Sequence, residues 1–194
     1  MRLPPMVLVG VVTVTTLAAA SAVGCSSHST SSTPTSGSAT TTHAPISDYT
    51  TLLIKASDIK APDAFTAGPP TKDPKGQLGA TTTFTDQDHS HTIIDTIQIL
   101  LNPEAAANAL DSAKSLQRES LLSKATSIDV GVDGATISGL SEDHSKGVTV
   151  LLFTEGKAMV TLEFDGPSYA LAPHDFVTDV GQKQDEVIKK GLGG

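Results

Sequence analysis

One cysteine, Cys25, stands in 194 residues, so no disulfide can form within the chain and packing alone must hold the fold. Tryptophan is absent and aromatic residues make up 4%. The apolar content is mostly Ala, Val, Ile and Leu, a composition suited to helices packed closely on a sheet. Basic residues are also scarce, 13 Lys and Arg against 21 Asp and Glu. With no basic stripe, such a surface repels phosphate backbones, which excludes nucleic acid as a partner. A Gly-x-Ser-x-Gly elbow, a Cys/His pair and a phosphate-cradling glycine loop are all missing, and Gly131-Val132-Asp133-Gly134 has too few glycines for the last. No motif calls for a cofactor.

What is present falls into three parts. Met1 to Gly24 reads as a signal peptide, with Arg2 ahead of an apolar run from Val7 to Ala20 that is too short for a stable membrane span and has no basic stop-transfer flank. Residues 25–45 begin with Cys25 and continue as a Ser/Thr-rich stretch, Ser26 to Pro45, without a large apolar residue. That composition cannot offset its ordering entropy and predicts a disordered tether with an r.m.s. reach of roughly 25 Å, either bare or O-mannosylated. Residues 46–194 are long enough for one domain with one core. Removal of the leader takes away Arg2 and no acid, which leaves 12 Lys and Arg against 21 Asp and Glu, a formal charge of −9.

The segment Ser21-Ala22-Val23-Gly24-Cys25 resembles the lipobox of bacterial lipoproteins, with Ala22 where that family most often has leucine. The resemblance implies cleavage before Cys25 and a diacylglycerol on its thiol; the alternative is an ordinary signal peptide cut after Ala20 or Ala22. Because each buried CH₂ contributes about 0.8 kcal/mol, an anchor of two or three chains is effectively permanent. Together with Leu52-Leu53-Ile54-Lys55-Ala56-Ser57-Asp58-Ile59 and Asp129-Val130-Gly131-Val132-Asp133-Gly134-Ala135, this layout is similar to the mycobacterial and other actinobacterial cell-envelope lipoproteins, and to the extracellular sensor-like modules of some membrane-bound Ser/Thr kinases. The resemblance implies an extracytoplasmic location on the cell membrane.

Within the domain, Ser47 and Asp48 suggest an N-cap and first turn for a short helix reaching about Ala56, with Leu52 and Leu53 inward. Prolines and glycines from Pro62 to Gly79 then predict a long loop. Strands are expected over Ala80 to Asp86 and Thr92 to Leu101, joined by Asp88-His89-Ser90-His91. Asn102-Pro103-Glu104 signals a helix start, with Ala106, Ala109, Leu110, Ala113 and Leu116 on one stripe running to about Ser120. Three more strands, Ala135 to Leu140, Gly147 to Thr154 and Lys157 to Phe164, precede a closing helix from about Pro173 to Lys190, and Glu155-Gly156 makes the last strand pair a tight hairpin. The expected class is α+β, a two-layer sandwich with helices packed on a largely antiparallel sheet.

Val148 to Phe153 is apolar in both alternating sets, whereas an antiparallel strand normally leaves one side polar. Either helices and the Pro/Gly loop cover the second side, or a ligand or partner does. Leu151, Phe153 and Met159 are therefore candidate ligand-binding residues, with the Ala61 to Gly79 loop as a lid. A second candidate is Asp86-x-Asp88-His89-x-His91: His-x-His on a strand would project both rings to one side, with His144 beside Glu142 and Asp143 as a further metal donor. A solvated turn explains the same residues. Glu163 and Asp165 form a strand-end carboxylate pair. The reading favours a non-catalytic envelope module that binds a lipid, glycan or protein, with a metal-dependent or other hydrolytic enzyme as the alternative.

Overall fold

The structure, a computed structural model, describes residues 48–193. The expected signal peptide, Cys25, the expected tether and the Ser47 cap lie outside the described residues. Eight strands form one sheet: β1 (Thr66–Ala67), β2 (Thr71–Lys72), β3 (Gly79–Thr85), β4 (Thr92–Ile99), β5 (Thr126–Ser127), β6 (Val132–Leu140), β7 (Lys146–Glu155) and β8 (Ala158–Pro167). The order is β1-β3-β4-β8-β7-β6-β5, with β2 also on β3, and every pairing is antiparallel. Helices α1 (Pro103–Ser120) and α2 (His174–Leu192) pack on it, which makes the class α+β.

The strands form where period-two patterning is strongest. In β8, Ala158, Val160, Leu162 and Phe164 are buried while Met159, Thr161, Glu163 and Asp165 are half-buried on the other side. In β7 both sets are buried, and the reason lies in the helices. Leu151 and Phe153 join α2's Val177, Val180 and Ile188 in the larger core, while Val148, Val150 and Leu152 pack with Leu110 of α1. Helix-on-sheet packing thus occurs on both faces. Close approach of α2 depends on Gly181, where a Cβ would collide with the Leu151 side chain.

Asn102 accepts a hydrogen bond from Ala105 N at 2.8 Å and caps α1 as its sequence predicts, with Pro103 as the first helical residue. The tight hairpin is also present, but its loop is Gly156-Lys157, because Glu155 pairs with Ala158 and Gly156 takes a positive φ of 54°. The Pro/Gly stretch is more ordered than expected, with β1 and β2 completing the edge of β3.

The predicted first helix is a single 3-10 turn, Tyr49–Leu52, capped by Asp48. A helix does not continue because the backbone beyond it is bound elsewhere. Gln184 of α2, wholly buried, accepts from the N–H of Ile54 at 3.0 Å and donates to the carbonyl of Leu52 at 2.7 Å. Gln184→Leu would keep the volume and orphan both backbone groups, so a loss of about 1–3 kcal/mol is expected in denaturant unfolding. A variant as stable as the parent would show that the amide does not hold this segment.

Candidate functional site

The registers place the β3–β4 turn, the β6–β7 turn and the segment after β8 at one end of the sheet, since Thr85 pairs with Thr92, Thr92 with Asp165, and Lys146 with Pro167. A cleft of about 330 Å³ opens there on the α2 side. Its floor is Ile93 of β4 and Phe164 of β8; one wall is Ala61, Pro62 and Phe65, and the other is Ala170 to Pro173 together with Phe176 of α2. The Phe164 and Phe176 rings meet edge to face with centroids 5.8 Å apart.

At the mouth, Asp86 and His91 form a closed unit. The Asp86 carboxylate accepts from the N–H of His91 at 3.1 Å, from the Ser90 hydroxyl at 3.1 Å, and lies 2.8 Å from His91 Nδ1. Burial acts to raise the Asp86 pKa, but the hydrogen bonds from His91 and Ser90 outweigh it and hold the carboxyl below its ordinary value. A carboxylate only accepts, so in the neutral ring the proton sits on Nδ1 and Nε2 keeps its lone pair. The Ser90 hydroxyl lies 2.8 Å from that same Nδ1, so Ser90 is not placed as a nucleophile against Nε2. Gly166 makes room for the ring: a Cβ there would stand 3.0 Å from His91 Cδ2.

Leu151 and Phe153 are completely buried beneath α2, and Met159 lies half-buried on the opposite face against the α1 cluster. The three do not form one binding face, because Phe153 pairs with Val160, one residue beyond Met159, and a single-residue step reverses the side. The Pro/Gly loop does close over apolar residues, but over Ile93 and Phe164. His89 and His91 fall in the β3–β4 turn, where the sequence places them; His89 has φ 60°, and of the two only His91 lines the cleft. His144 belongs to the β6–β7 turn, two strands away from β4, where Asp143 is lowered to about 2 by hydrogen bonds from Ser141 and Ser145. Among the described residues no three His, Cys, Asp or Glu side chains converge as metal ligands.

Glu163 and Asp165 point to the α1 side. Lys146 Nζ meets Asp165 Oδ2 at 2.8 Å. Burial, followed by the Asp165 charge, raises the Glu163 carboxyl above its ordinary value. Asp165 thus contributes backbone to the cleft while its charge is met on the other face.

One polar residue lies deep in the larger core. Asp95, between Ile93 and Ile97 on β4, is completely buried, and neither carboxyl oxygen has a hydrogen-bond partner. Burial pushes its pKa up to about 8, against a small lowering by the N–H of Ile54, a donor already committed to Gln184. Sequence reading missed the cleft as well as Asp95. The available signals were the alternation Ile93-Asp95-Ile97-Ile99, which puts an acid on the buried side, and the scarcity of phenylalanine: three of the five, Phe65, Phe164 and Phe176, line one cleft.

No protein-family model matches the chain, and no curated protein does. The fold is similar to the crystal structure of the extracellular domain of PknH from Mycobacterium tuberculosis, with a TM-score of 0.56 at 10% sequence identity, over 78% of this chain and 100% of that one. At that identity the likeness is one of fold. Among the described residues no helix is long and apolar enough to cross a membrane.

Proposed function

We propose that this chain is a lipid-anchored, extracytoplasmic, non-catalytic module that binds an apolar ligand in the cleft between the 61–65 segment, the 170–173 segment and α2. The observation that carries the reading is the convergence of Phe65, Phe164 and Phe176 on a cavity of about 330 Å³ in a domain with few aromatic residues. Cavities with such linings take ligands whose apolar surface is removed from water at about 25 cal/mol per Å². The anchor rests on the Ala-Val-Gly-Cys sequence ending at Cys25, and a sensor-like role on the fold shared with an extracellular domain. An apolar cleft on a tethered domain can report on or retain an envelope lipid without transforming it.

The test is mass spectrometry of the protein purified from its own host. The mature chain is expected to begin at Cys25 with a diacylglycerol adduct, and under native conditions to carry a non-covalent apolar molecule that the cleft-filling variant Ala172→Trp lacks. A mature terminus elsewhere would overturn the anchor. Equal adducts in the wild type and the variant would overturn the cleft.

A further inference from the structure

We propose that the cleft selects a long-chain amphiphile whose head group is an uncharged hydrogen-bond donor, such as a hydroxyl, delivered to Nε2 of His91. This deepens the cleft reading and rests on it. The tail is assigned by the apolar part of the lining, where Phe65, Phe164, Phe176 and Ile93 meet Pro62 and Ala172. The head group is assigned by what stands at the mouth. No Lys or Arg lines the cleft, and the charged residues that do are Asp63, Asp86 and Asp165, the last with its carboxylate turned away toward Lys146. An anionic head would enter beside Asp86 with no cation to meet it, and the domain as a whole is acidic.

His91 narrows the choice further. In the neutral ring Asp86 holds the proton on Nδ1, and no hydrogen bond within the described residues involves Nε2, so the neutral imidazole offers an acceptor at this point. An acceptor beside an apolar cavity asks for a donor. Gly166 belongs to the same arrangement, because a Cβ there would stand 3.0 Å from His91 Cδ2 and crowd the imidazole over the end of β8. The buried Asp86 carboxylate is itself held by the His91 N–H and the Ser90 hydroxyl, so the one bond from the ring orients the half-exposed imidazole.

Calorimetric titration of the mature chain carrying Cys25→Ser, which leaves the cleft free of its own lipid, tests the proposal with decanol, octanol, decanoate and decylamine. Decanol is expected to bind, and octanol roughly tenfold more weakly for the loss of two methylenes at about 0.8 kcal/mol each. Decanoate is expected to lose about tenfold or more against decanol, since it forfeits the donated bond and approaches Asp86. His91→Phe should reduce the decanol preference to less than about threefold. Because that variant also strips a partner from Asp86, the wild-type His91 Nε2 resonance supplies a second reading: it should shift on adding decanol and stay unchanged with decanoate. Decanoate or decylamine binding as tightly as decanol would overturn the head-group assignment and leave the cleft reading standing. Absence of binding by all four would overturn both.

Discussion

Asp95→Asn is expected to make the domain more stable than the parent at about pH 8 and to flatten its stability from about pH 4 upward. In the unfolded chain this carboxyl releases its proton near pH 4, whereas in the folded protein burial keeps it to about 8. The folded state therefore binds more protons between those values. The stability tied to that proton is complete below about pH 4 and is lost as the pH rises through the folded value, at roughly 1 kcal/mol per pH unit. Above it, an unpaired carboxylate sits against Ile54 and the Gln184 amide with no donor of its own. Glu163, also raised, slopes the same way, while Asp86 and Asp143, both lowered, oppose it only toward acid; the difference between parent and variant removes all three. Urea unfolding midpoints across this range are the measurement. Parallel curves for the two proteins would mean that Asp95 is ionised in the fold.

Leu151→Ala is expected to lower stability by about 2–5 kcal/mol, whereas Met159→Ala should cost about 1. Leu151 is completely enclosed and closes the space that Gly181 leaves in α2, so truncation opens a cavity that the helix cannot readily fill by moving closer. Met159 is half-buried at the margin of the α1 cluster and retains solvent as a neighbour. Comparable small losses for both would place Leu151 on an adaptable surface, as expected if it belonged to a ligand face.

Local signals in this chain are legible wherever one residue type answers one backbone requirement. Asn102 and Pro103 satisfy the start of α1, and the alternating runs of β4 and β8 match their two sides. Sequence reading fails where the deciding group lies far along the chain. The stretch after Asp48 has the composition of a helix start, but Gln184, more than a hundred residues later, claims its backbone. The second apolar side of β7 reads as a spare binding face until α1 is seen to cover it. The histidine pair reads as a shared metal site, although Asp86 takes His91 alone as its partner and no third ligand converges among the described residues. The cleft was hidden for the same reason: its walls come from three segments with no common pattern, and only the closure of the sheet brings them together.

The strand order also sets a timetable for folding. β3 with β4, and β6 through β7 to β8, are local hairpins that can form on their own sections of chain. The seam between them, Thr92 with Asp165 through to Ile99 with Ala158, joins the middle of the domain to its late portion and must close a long loop containing α1. Loop closure of that kind sets the pace of β-rich folding. The seam is also the floor of the cleft, since Ile93 and Phe164 face each other across it. The cleft is therefore among the last features to exist as the chain folds and among the first to be lost when its two halves part.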